Sequence, residues 1–209
     1  MKYYLALALI CFVGCRSAYY ATWEKLGREK RDILRHRVID ARDEQKEASQ
    51  QFKTALERMK EMYGFDGGKL EAAYNRFKGE YEDCESRAEK VRGRIKDVEA
   101  VAGDLFKEWE NELREISDAA MRNDSRRKLD DARGKYDQLH TSMKRAETSM
   151  SPILTKFRDN VLYLKHNLNA QAIGALKGES VKIEGDISRL IADMNAAIAQ
   201  AESFIKTLN

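Results

Sequence analysis

Apolar residues recur on alternating three- and four-residue steps over most of this chain, and that spacing restricts the fold more than any other feature. The first run is Leu34, Val38, Ala41, Gln45, Ala48, Phe52, Ala55, Met59 and Met62, with Trp23, Leu26 and Ile33 as a weaker lead-in. The second runs from Leu70 through Tyr74, Phe77, Tyr81, Cys84, Ala88, Val91, Ile95, Val98, Ala102 and Leu105 to Trp109. Leu113 and Ile116 continue it after a phase slip. A third joins Leu129, Ala132, Tyr136, Leu139, Met143, Ala146, Met150, Ile153 and Phe157. The last joins Ile183, Ile187, Leu190, Met194, Ala197, Ala201, Phe204 and Leu208. Such spacing puts one apolar stripe along each of several long helices, the seam of a coiled coil or bundle. A single Pro in 209 residues is consistent with long helices. The expected fold is all-α: an elongated antiparallel coiled coil or helical bundle of three to four long helices.

The junctions follow from local chemistry. Gly64 suits the left-handed stop of a helix and Asp66 the N-cap of the next, so residues 64–68 read as the turn of an antiparallel hairpin. A second turn is expected in the polar, phase-broken stretch Ser117–Ser125. Ser151-Pro152 could start a new helix, but the unbroken seam through Met150, Ile153 and Phe157 favours a continuous, kinked helix to about Ile173. Gly174 and Gly178 allow a bend before the last seam, but the chain could also run through. The expected helices span about 23–62, 69–117, 125–173 and 180–208, all within one domain over 23–209. Gly79, Gly93, Gly134 and Gly185 fall opposite the seams and open no core. The seams mix Ala, Gln45 and aromatics, which implies uneven helix spacing.

The N-terminus carries a different signal. Lys2 precedes the apolar run Tyr3–Val13, about half the length a spanning helix needs. This fits a signal-peptide core. Phe12-Val13-Gly14-Cys15 closes it and resembles the cleavage site of a bacterial lipoprotein, with Phe12 where Leu is usual. The resemblance implies a signal over residues 1–14, lipidated Cys15 and a short tether over 15–22. Arg16 after the Cys, rather than Asp, implies the outer membrane facing the periplasm. Loss of Cys11 and modification of Cys15 would leave Cys84 without a disulfide partner in an oxidising compartment.

Chemistry is sparse. The chain is 35% charged with a net charge of only +3, which argues against nucleic acid as a partner. His36, His140 and His166 are far apart and lack metal-ligand spacing. Acidic clusters such as Glu80, Glu82 and Asp83 are interleaved with Arg and Lys, as on solvated helix faces. No catalytic residue, metal or cofactor is expected. Two basic clusters remain: Lys25, Arg28, Lys30, Arg31, Arg35 and Arg37, and then Arg122, Arg126, Arg127 and Lys128. A hairpin brings both to one end, where they would meet anionic lipid headgroups. Phe65, in the glycine loop, would be a partner contact at the other end or would fold back over the seam.

Several strings are shared with one family. Ser17-Ala-Tyr-Tyr20, Lys30-Arg-Asp-Ile-Leu34 and Phe65-Asp-Gly-Gly68 are among them. So are Tyr74-Asn-Arg76, Glu80-Tyr-Glu-Asp83, Asp124-Ser-Arg-Arg127, Pro152 with Phe157-Arg-Asp159, and Leu164 to Ile173. Across nearly the whole mature chain the sequence resembles the bacterial domain-of-unknown-function 2959 family. That resemblance implies an exported, lipid-anchored helical protein and carries no activity. The expected role is non-enzymatic: a periplasm-facing scaffold held by Cys15, with an envelope protein as partner and homo-oligomers open. The alternative is a module that binds anionic lipid through its basic end.

Overall fold

The structure, a computed structural model, describes residues 30–64 and 69–207. Helix α1 spans Lys30–Glu61 and ends in a single 3-10 turn, Met62–Gly64. Helices α2, α3 and α4 span Lys69–Glu115, Ala119–His166 and Ala170–Thr207. No strand occurs among the described residues. At 1.5 Å per residue, α2 and α3 are each on the order of 70 Å long.

The four helices close into a ring. α1 packs against α2 and α4, and α3 packs against the same two. Interhelical ion pairs fix the directions. Lys30, at the start of α1, meets Glu108, late in α2, at 2.9 Å. Arg133 of α3 meets Glu110 of α2 at 2.7 Å. Lys156 of α3 pairs with Asp186 of α4, and Lys60 near the end of α1 meets Glu184 of α4 at 2.7 Å. Every neighbour is therefore antiparallel, and the fold is an up-down-up-down four-helix bundle. The third and fourth seams pack back on the first hairpin.

The core is the four stripes turned inward. All nine residues of the first seam are buried, Gln45 included. Phe52, Phe77 and Phe157, from three different helices, are fully buried and stack in one layer. The Phe77 and Phe157 rings meet edge-on at 5.5 Å, and Phe52 and Phe157 lie 6.4 Å apart. Alanines at 41, 48, 88, 102, 146, 197 and 201 are also buried, so bulky and thin layers alternate along the bundle. A Cβ added at Gly79, Gly93, Gly134 or Gly185 would meet nothing within 4 Å, so these glycines do face away from the core.

The junctions differ from expectation. α3 begins at Ala119, not near 125, because Asp118 caps it: Oδ1 accepts from the Met121 backbone N–H at 2.8 Å. The Arg122 side chain donates to the Ile116 carbonyl at 2.9 Å, satisfying an end group of α2. The phase is broken there because the first turns of α3 are exposed, with Met121 68% exposed, and need no apolar stripe. α3 runs unbroken through Pro152, which is exposed. It stops at His166, short of Ile173, and α4 starts at Ala170, so Gly174 and Gly178 lie inside a helix. Two asparagines make this break. Asn167 leaves helical geometry at φ −134°, ψ 52°, and Asn169 Oδ1 accepts from the Ala172 N–H at 2.9 Å. Residues 23–29, expected in the first helix, and Leu208 lie outside the described residues.

Gln45 is 1% exposed at a core position, and its Nε2 has no hydrogen-bond partner among the described residues. An unsatisfied buried polar group costs about 1–3 kcal/mol. Gln45→Met keeps the shape and removes the orphan donor. It is expected to raise unfolding free energy by about 1 kcal/mol or more in denaturant melts, and a loss of stability would contradict this packing.

Candidate functional site

Among the described residues, one end of the bundle is left open by the register of its helices. Lys30 lies opposite Glu108, and Phe204 opposite Tyr136, so the last turns of α2 and the first turns of α3 extend past Lys30 and Thr207. A cavity of about 330 Å³ sits at this step, with all four helices contributing. Its apolar lining is Leu34 from α1, Leu105, Phe106 and Trp109 from α2, Ala132 from α3 and Phe204 from α4. Arg31, Lys128, Asp131 and Lys135 supply the charge.

The local sequence explains the cavity. From Phe77 to Val98 the stripe of α2 is a single track. At Val101-Ala102 and again at Leu105-Phe106 two adjacent residues are apolar; Phe106 is buried while Leu105 and Trp109 are only half-buried. Among the described residues the widened face outruns its partners, so Leu105 and Trp109 are only partly covered. The aromatic wall behind it is held firmly. Phe106 and Tyr136 meet edge-on at 5.5 Å, and Tyr136 lies 6.2 Å from Phe204. The Arg133 guanidinium sits 5.4 Å over the Phe106 ring and pairs with Glu110. Trp109 Nε1 donates to Ser125 Oγ at 2.9 Å. Burial pushes the Tyr136 hydroxyl up to about 12, with Glu99 and Asp137 adding to the effect.

The cations of the cavity are held loosely. Lys128 pairs with Asp124 at 2.7 Å and Lys135 with Asp131 at 2.6 Å, each pair substantially exposed. Lys128 first, then Arg127, holds the Asp124 carboxyl below its usual range. Exposed pairs of this kind contribute about 0–1 kcal/mol, so either lysine can change partner cheaply.

The residues expected to contact lipid are distributed unevenly. Arg31 and Lys128, one from each basic cluster, line the same cavity. Lys30 is engaged with Glu108. Arg35 and Arg37 pair within α1, with Asp32 at 3.3 Å and Asp40 at 3.7 Å. Arg126 is exposed, and Arg127 pairs with Asp124 at 3.1 Å. Cys15, Lys25, Arg28 and Phe65 lie outside the described residues. Phe106 and Lys135 also line the cavity and are not among the residues the sequence points to. The paired apolar residues at 105–106, beside a phase slip, were the available signal for the first.

The histidines are apart. His140 Nε2 is 2.7 Å from Glu99 Oε1, while His36 and His166 are exposed. His166 ends α3, next to Lys165, whose charge complements the helix dipole. No group of three or more His, Cys, Asp or Glu side chains with metal-binding geometry occurs among the described residues. No described helix is long and apolar enough to cross a membrane.

Fold and site together define a four-helix bundle with an amphipathic cavity at its open end. The chain belongs to the family described as protein of unknown function (DUF2959), whose sequence profile matches residues 19–208. No curated protein matches the chain.

Cys84 is fully buried on α2, and burial, then Glu80 and Asp83, pushes its thiol up. The thiolate is the reactive form. N-ethylmaleimide at pH 8 is expected to spare Cys84 in the folded chain and to modify it in denaturant, as read by peptide mass spectrometry. Rapid labelling without denaturant would contradict the closed core.

Proposed function

We propose that this chain is a non-enzymatic, lipid-anchored protein of the bacterial envelope, in which Cys15 holds the bundle on the outer membrane and the rod acts as a periplasm-facing scaffold. One observation carries the reading: the end of the bundle that the Cys15 segment enters is amphipathic, with cations around an apolar-lined cavity. The open end is where the segment bearing Cys15 enters α1, and it gathers Arg31, Lys128 and Lys135. The turn Met62–Gly64 lies the length of α1 away, about 50 Å by helical rise. Attachment at one end would hold the other at a set distance from the bilayer, where the loop containing Phe65 would meet an envelope protein. Between the ends, the faces carry ion pairs such as Arg87 with Glu44 and Glu47.

A second reading has its own support. Two cations from separate clusters flank one apolar-lined cavity, which suits contact with anionic lipid at the open end. Cations near an anionic surface contribute about 1 kcal/mol each.

Metabolic palmitate labelling tests the anchor: the wild type is expected to label and Cys15→Ser to lose the label, and equal labelling would sink the anchored reading. A photo-crosslinking residue at Phe65 in intact cells tests the scaffold. A discrete adduct with an envelope protein is expected, and its absence counts against the first reading. Flotation of the full Cys15→Ser chain with phosphatidylglycerol or phosphatidylcholine vesicles tests the second, which requires binding confined to the anionic vesicles and weakened by salt.

A further inference from the structure

We propose that the cavity at the open end is a binding site for a single long-chain carboxylate. The alkyl chain would lie against Leu105, Phe106, Trp109, Ala132 and Phe204, with the carboxylate among Arg31, Lys128 and Lys135. This deepens the second reading, that the open end meets anionic lipid, by naming a monomeric ligand for it.

Three observations converge. The lining is divided by chemistry: among the described residues, six apolar side chains form most of the wall, and three cations against one carboxylate, Asp131, give the charged part a net positive sign. The volume, about 330 Å³, is at the lower end of the range for pockets that bury small ligands. Such a volume suits one alkyl chain rather than the paired tails of a phospholipid. The wall is also preorganised. Trp109 is tied to Ser125, and Phe106 is held between Tyr136 and the Arg133 guanidinium. A ligand entering here finds apolar surface already in shape and has little to order, which favours binding.

The cations are suited to exchange. Lys128 and Lys135 are held by Asp124 and Asp131 in exposed pairs, so an arriving carboxylate would replace one weak partner with a charge-assisted one beside apolar surface. Asp131 belongs to the same lining and opposes an anion. The site therefore needs at least two of the three cations.

The test uses fluorescence. The chain has two tryptophans, so the full chain carrying Cys15→Ser and Trp23→Phe reports from Trp109 alone. A bromine-tagged decanoate, kept below its micellar concentration, is titrated and then displaced with unlabelled carboxylates of increasing length. Saturable quenching is expected. Affinity should rise about fourfold per added methylene and then level off once the cavity is full. Lys128→Glu with Lys135→Glu should weaken the carboxylate about tenfold and leave the alcohol of equal length unchanged. Ala132→Phe, with the thermal melt confirming its fold, should abolish quenching. The proposal is overturned by an absence of quenching, the result if another segment of the chain fills the cavity. It is equally overturned by affinity that climbs without a plateau, the signature of partition, or by quenching that Ala132→Phe leaves intact. Vesicle flotation reports on the second reading separately, since a pocket for a monomeric acid and adhesion to a bilayer can fail independently.

Discussion

Burial of four apolar stripes against one another is what the rest of this molecule depends on. A single amphipathic helix has no place in water for its stripe, and a two-helix hairpin leaves half of each seam uncovered. In this chain α4 returns along α1 and closes the ring, so Leu34, Phe52, Phe77, Phe157 and Leu190 all reach essentially complete burial. The ion pairs along the seams are partly exposed and contribute little individually. They record direction and register more than they supply stability, as Lys60 with Glu184 does for the closing pair.

That dependence explains which parts of the fold could be read in the sequence. Core positions follow from spacing, because a stripe that must be buried along its whole length has to repeat with the helix, and each described residue of the first and last seams lies inside. The breaks follow different rules. Asp118 and Asn169 end or begin helices through side-chain bonds to backbone N–H groups, a role that apolar periodicity does not record. The glycines at 174 and 178 allowed either a bend or a continuous helix, and a helix within a bundle tolerates them at about 1 kcal/mol each. Seams report where helices touch; caps report where they stop.

The open end was harder to read for a related reason. Its cavity lies where, among the described residues, α2 and α3 extend past Lys30 and Thr207, which is a property of register among distant segments. The sequence placed Arg31 and Lys128 in separate clusters, and only the closed ring sets them around one hollow. Lys135 and Phe106 join them by the same geometry. The scaffold and lipid readings therefore share one asymmetry: an amphipathic end near the entering chain and a turn at the opposite end. In both, the core would provide stiffness; the lipid reading would take its contact from the unburied remainder of the seam, and the scaffold reading from the opposite end.

Closure of α1 on α4 within one chain is the central claim, and zero-length carbodiimide crosslinking tests it directly. Lys60 Nζ is 2.7 Å from Glu184 and Lys30 Nζ is 2.9 Å from Glu108, so both pairs are expected to form intrachain amides, identified by peptide mass spectrometry at low protein concentration. A Lys30–Glu108 link without Lys60–Glu184, or a Lys60–Glu184 link found only in covalent dimers, would show that the second hairpin does not fold back on the first and would contradict the bundle.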